Sequence, residues 1–115
     1  MSEKGRIGEE SAVLFLKNKG MKIISRNFRY RGGEVDIIAL EGDNLVFIEV
    51  KTWVSYGIEA LEYGIDEKKQ HRIIETAKYF LAVHREYRYM TVRFDVIFIS
   101  SHGITHLASA FVESV

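Results

Sequence analysis

Two apolar runs, residues 34–41 and 44–51, stand back to back across Gly42–Asp43. Nothing else in the chain restricts its fold as tightly. Gly-Asp between strand-like runs is hairpin chemistry, since both residues accept the backbone of a tight turn. A two-residue loop sets Glu41 against Asn44 and thereby fixes every other pair. Asp36 then falls opposite Glu49, and Glu34 opposite Lys51. A four-residue loop keeps those partners, whereas a three-residue loop or a bulge shifts them. Side chains alternate along a strand. Leu45, Phe47, Glu49 and Lys51 therefore share one face, and Val46, Ile48 and Val50 the other. On the first run Val35, Ile37 and Ala39 oppose Glu34, Asp36, Ile38 and Leu40. Directly opposed side chains have Cβ atoms about 4.5–5.5 Å apart. Two carboxylates at that range repel unless a proton or a cation lies between them.

The rest of the chain supplies cover for this hairpin. Ala12, Phe15 and Leu16 recur at helical spacing over about 8–19, and Gly20 is placed to end that helix. Residues 21–28 read as a strand, followed by a turn at Gly32–Gly33. Residues 53–65 carry Gly57 and Gly64 and read as a loop or irregular helix. The strongest helix spans about 66–84, capped by Asp66, with Ile73, Ala77, Phe80, Leu81 and His84 along one stripe. Val92, Phe94, Val96 and Phe98 mark a strand over 91–99, and 104–107 a short final one. The expected fold is α/β, a mixed β-sheet flanked by helices in the order αβββαβ with that final strand. With 115 residues and no Pro, no linker and no repeat, residues 1–115 form one domain.

Composition excludes several classes. There is no Cys, so thiolate metal sites and disulfides are ruled out. No apolar run approaches the roughly 20 residues of a membrane helix, and the N-terminus lacks a signal peptide's apolar stretch. The expected location is the cytoplasm, with no membrane partner. Sixteen Lys+Arg balance sixteen Asp+Glu, which excludes a uniformly basic nucleic-acid coat. The balance hides an asymmetry. Lys17, Lys19, Lys22, Arg26, Arg29 and Arg31 run without an acid, and Glu34, Asp36, Glu41, Asp43 and Glu49 follow. A basic segment beside an acidic one suits phosphate binding next to metal binding, or else a solvated basic face.

Acid, acid and lysine at one spot have a definite use. Hard carboxylate oxygens on a rigid hairpin can hold Mg²⁺ or Mn²⁺ beside a phosphate, and a lysine can orient water or stabilise developing charge. A surface salt-bridge cluster is the structural alternative. Glu9 and Glu10 suit a first helical turn with no function. Arg93 and Asp95 share a strand face and can pair with each other. Lys68, Lys69 and Arg72 lie in early turns of the second long helix, where a phosphate contact would offset their cost against the helix dipole. Trp53 and Tyr56 could stack on an unpaired base or cover a core edge. The four histidines show no metal spacing and read as incidental.

The pattern Asp36 with Glu49-Val50-Lys51 resembles the PD-(D/E)xK signature of restriction-endonuclease-like nucleases. Gly8-Glu9, Asn27-Phe28-Arg29, residues 33–38, residues 46–51, Lys69 and Arg93-Phe94-Asp95 together resemble the YraN-type bacterial family, itself similar to archaeal Holliday junction resolvases. The resemblance runs from about Gly5 to Phe111. It implies a restriction-endonuclease-like core and Mg²⁺- or Mn²⁺-dependent endonuclease activity on DNA, with branched or single-strand-containing DNA as substrate. Asp36 and Glu49 would be metal ligands, Glu9 a supporting carboxylate and Lys51 the catalytic lysine. Lys22, Arg26, Arg29, Arg31 and Lys69 are the expected nucleic-acid contacts. A homodimer follows by analogy with paired cuts at a junction. Two departures stand out: Val35 replaces the signature's proline, and Thr52-Trp53 follow the lysine where YraN-type chains carry a basic residue. A module of this fold that binds nucleic acid without cleaving it, and an adaptor whose acid pair holds a stabilising cation, are the rival readings.

Overall fold

The computed structural model describes residues 3–52 and 65–113, with side chains from residue 5. The expected loop over 53–65, with Trp53 and Tyr56, lies outside the described residues except for Ile65. Helix α1 (Glu3–Asn18) leads into β1 (Lys22–Tyr30), β2 (Gly33–Glu41) and β3 (Asn44–Thr52). Helix α2 (Glu67–Val83), a short 3₁₀ turn (Arg85–Tyr87), β4 (Thr91–Ser100) and β5 (Gly103–Phe111) complete the order. The five strands lie in chain order in one sheet. Only the β3–β4 pair is parallel, so the sheet is mixed.

The two helices cover opposite faces. Ala12, Val13 and Leu16 of α1 pack on Ile37, Ala39, Val46, Ile48, Ile97 and Ile99. Ile73, Ile74, Ala77 and Phe80 of α2 pack on Leu45, Phe47, Phe94, Val96 and Phe98. Strand β3 is buried from both sides, which explains its continuous apolar run Leu45–Val46–Phe47–Ile48. Gly20 (φ 90°) ends α1, as a left-handed cap position requires. Asp66 caps α2, its Oδ1 accepting from the Lys69 N–H at 2.8 Å. Helix α1 starts earlier than its apolar spacing indicates, and β5 is longer, nine residues in place of four.

One polar cluster is built into the α1 side. Asp95 is fully buried. It accepts from Arg93 through two nitrogens at 2.9 Å each and from the Ser109 N–H at 3.0 Å. His106 Nε2 lies 2.7 Å from its Oδ2, and Lys19 Nζ lies 2.8 Å from the other ring nitrogen. Burial alone would raise the Asp95 pKa, but His106, Arg93 and Ser109 outweigh it and hold the carboxyl below its usual range. Arg93 and Asp95 pair as their shared face suggested. His106, by contrast, is not incidental, because it ties β5 and the end of α1 to that buried charge.

Candidate active site

The hairpin register is the foundation of the site. Glu41 pairs with Asn44, and the ladder holds to Ile37–Ile48. It stops there. The Asp36 carboxylate accepts from the Val50 N–H at 2.8 Å, beyond the last ladder pair. On the other side of β2, Arg26–Ile37 and Phe28–Val35 are paired, with Asn27 between them at φ 53°. Asparagine is among the side chains that tolerate this left-handed region. The expected alternation on β2 fails at the same point. Ile37 and Ala39 pack under α1, but Val35 joins Ile38 under α2. The pleat therefore slips by one residue at Asp36, where the β2–β3 ladder ends and Asn27 is unpaired although the β1–β2 register is kept on both sides.

Asp36, half-buried, and Glu49 meet as an acid pair. Glu49 is 5% exposed. Burial first, then the hydrogen bond and charge of Glu49, push the Asp36 carboxyl up to about 9, against the opposing pull of the Val50 N–H. At neutral pH the Asp36 carboxyl therefore keeps its proton in the metal-free fold. Lys69 reaches in from the first turn of α2, with Nζ 2.6 Å from Glu49 Oε2. The contact is an ion pair between the ammonium and a nearly buried carboxylate oxygen. Glu49 Oε2 is the buried side-chain atom left without a hydrogen-bond partner among the described residues. Burial, then the charge of Lys69, lower the Lys51 pKa. Burial also pulls Lys69 down, but Glu49, with Lys51 and Asp36, outweighs it and leaves Lys69 raised.

Two glycines seat the helices against this spot. A Cβ on Gly33 would collide with Thr76 Oγ1 and sit 2.9 Å from the Arg72 carbonyl oxygen. A Cβ on Gly8 would collide with Thr52, the residue after Lys51. The close approach at Gly33 brings Lys69 and Arg72 over the acids. A cleft of about 220 Å³ results, lined by Gly33, Glu34, Asp36, Glu49, Lys69 and Arg72. It shares Gly33 and Arg72 with a second cleft of about 290 Å³ that includes Tyr30, Arg31 and His71.

Some expected contacts do not form. Glu34 does not face Lys51. It accepts from Asn27 at 3.1 Å and from Arg29 at 3.1 Å, because the register past Ile37–Ile48 does not continue. Lys51 instead runs beside Phe98 in the parallel ladder and has Lys69 as its charged neighbour. Glu9 is 3% exposed but lies in a different network. Its Oε1 accepts from Arg26 at 3.0 and 3.1 Å, and its Oε2 from Asn27 at 3.0 Å. Among the described residues, no three His, Asp or Glu side chains come together as a metal-binding group. The three-carboxylate set with Glu9 is therefore not assembled.

The basic segment is similarly divided. Arg26 bridges Glu9 and Glu10, and Arg29 pairs with Glu34. Lys22 is exposed at the start of β1. Arg31 stacks its guanidinium 5.2 Å from the Tyr30 ring centre and lines the second cleft. Lys69, an expected nucleic-acid contact, meets Glu49 instead, a partner that nothing in the sequence around it signals. Asp66, three residues before it, marks it as first-turn, but only the packing of α2 shows where it points.

The donors present fit a hard divalent cation. Asp36 and Glu49 offer carboxylate oxygens from adjacent strands, one of them without a hydrogen bond, and a protein cation already stands against it. Residues 8–99 match the family described as "Uncharacterised protein family UPF0102". The UPF0102 protein of Persephonella marina (strain DSM 14350 / EX-H1) is 44% identical over 108 residues, covering 94% of this chain and 92% of that one. The UPF0102 protein of Treponema pallidum (strain Nichols) is 44% identical over 118 residues, covering 96% and 94%. That of Thermodesulfovibrio yellowstonii is 40% identical over 110 residues, covering 95% and 96%.

Proposed function

The chain belongs to the UPF0102 family, and from the geometry of its acid pair we propose that it is a divalent-metal-dependent endonuclease acting on DNA. The observation that carries this reading is the Asp36–Glu49 acid pair on the wall of a cleft, where the nearly buried Glu49 Oε2 meets the Lys69 ammonium and accepts no aligned hydrogen bond. The element order supports a restriction-endonuclease-like core: a helix, three meandering strands, a helix, then a strand parallel to β3. Asp36 and Glu49 would hold Mg²⁺ or Mn²⁺. When bound, the ion would supply Lewis-acid polarisation of the phosphodiester. Lys51, with its proton affinity lowered, orients the attacking water or stabilises charge developing on the phosphate. Arg72 and Arg31, in the two joined clefts, hold the flanking backbone.

The Lys69–Glu49 ion pair favours one rival reading, a binding module in which a protein cation satisfies the acids permanently. Cleavage separates the two. Wild-type protein should cut branched or flapped DNA with Mg²⁺ or Mn²⁺ and stop in chelator, and Asp36→Asn should not cut. Tight DNA binding with no cleavage in either metal would favour the binding module. Running an RNA of the same shape in parallel tests the assignment to DNA.

The cleft cations give a second expectation. Arg31→Ala and Arg72→Ala should each flatten the slope of log affinity against log salt by about one counterion. Arg26→Ala should change it less, since that guanidinium is engaged by Glu9 and Glu10. Unchanged slopes for Arg31 and Arg72 would leave both as ordinary surface charge.

A further inference from the structure

Lys69 stands where a cation belongs. Its Nζ is 2.6 Å from Glu49 Oε2, the oxygen that no aligned donor satisfies. It comes from α2, not from the hairpin that carries the acids. Its side chain is 36% exposed and so has a path into the open cleft. Its backbone N–H is held separately by Asp66, so the ammonium can move without undoing the helix start. Lys51 lies on the strand side, and after burial the charge of Lys69 is what lowers its pKa. A divalent ion entering between Asp36 and Glu49 would add a third cation to the same spot. Of the two lysines, Lys69 alone makes an ion pair with Glu49 among the described residues, and it has the exit.

We propose that Lys69 is a resident counter-ion of the acid pair, displaced from Glu49 by the divalent ion and released to the phosphate side of the cleft. This rests on the metal-site reading above. In the metal-free protein Lys69 keeps two neighbouring acids tolerable. On metal binding the same residue becomes a free cation beside Arg72, so that phosphate contact is coupled to metal loading.

The exchange predicts that removing Lys69 tightens metal binding. Mn²⁺ titration, followed by the signal of free Mn²⁺ or by heat, would compare wild type, Lys69→Met, Lys51→Met and Asp36→Asn. Lys69→Met should bind Mn²⁺ about tenfold tighter or more, the scale of one charge-assisted contact no longer competing. Lys51→Met removes the same charge nearby without removing a contact to Glu49, so its gain should be clearly smaller. Equal gains would overturn displacement, leaving only a general field effect. Weaker binding in Lys69→Met would overturn it as well, by making the ammonium a support for the site. Lys69→Gln serves the same comparison if the methionine variant does not fold. Loss of binding in Asp36→Asn with no gain in Lys69→Met would defeat displacement alone. Wild type binding no Mn²⁺, or binding it no better than Asp36→Asn, would defeat the metal site itself.

Discussion

Lys51→Ala should lower the cleavage rate by about a hundredfold or more, the scale of one electrostatic group aimed at a transition state. Its Mn²⁺ affinity should hold or rise slightly, because a cation leaves the neighbourhood of Asp36 and Glu49. The loss should fall on kcat and kcat/KM together, since the contact strengthens only as charge develops on the phosphate. Lys51 suits this work better than Lys69. It sits on β3, fixed by the parallel ladder to β4, whereas Lys69 is committed to Glu49 in the metal-free site. A Lys51→Ala protein that cleaves at the wild-type rate would remove Lys51 from the chemistry.

Asp36→Asn should abolish metal-dependent cleavage and also change how stability follows pH. The Asp36 carboxyl is pushed up to about 9 in the fold, against about 3.9 in an unfolded chain. Between those values the folded protein binds more protons than the unfolded one. The contribution of Asp36 to metal-free stability is therefore fully present below about pH 4 and falls as pH rises toward 9. Asparagine imitates the protonated acid, since its oxygen can accept from the Val50 N–H while its amide donates to Glu49. The variant should lose most of the slope between pH 4 and 9. In chelator at pH 8 it should be more stable than wild type by about 1–3 kcal/mol, the scale of a buried polar group left unsatisfied. Added Mn²⁺ should stabilise wild type by mass action and the variant far less. Denaturant melts across pH, with chelator and with metal, check all three points. A variant less stable than wild type at pH 8 in chelator would mean that Asp36 is held as a charged structural partner.

The local parts of this fold are legible because they rest on neighbouring residues. Gly42–Asp43 dictates the Glu41–Asn44 pair, Gly20 ends α1, and Asp66 starts α2, each through backbone chemistry within a few positions. The turn brings Asp36 and Glu49 together one position past the last ladder pair, Ile37–Ile48. The pleat slip at Asp36 is not set by the turn, because it depends on Asn27 of the adjacent strand and on the end of the β2–β3 ladder. Extending an ideal register past that slip is what wrongly set Glu34 against Lys51. Glu9 was placed by resemblance, and the structure gives its carboxylate to Arg26 and Asn27. Lys69 and His106 were unreadable for a shared reason: each meets its acid across a packing contact between elements far apart in sequence.

Asp36 and Glu49 are proposed to hold a divalent ion between them. Anomalous scattering from crystals grown with Mn²⁺ measures this most directly. A peak is expected between the two carboxylates, about 2.1 Å from an oxygen of each, the range for a small hard cation, with the Lys69 ammonium withdrawn from Glu49. Crystals saturated with Mn²⁺ that show no peak there, with Lys69 still against Glu49 Oε2, would contradict the proposal.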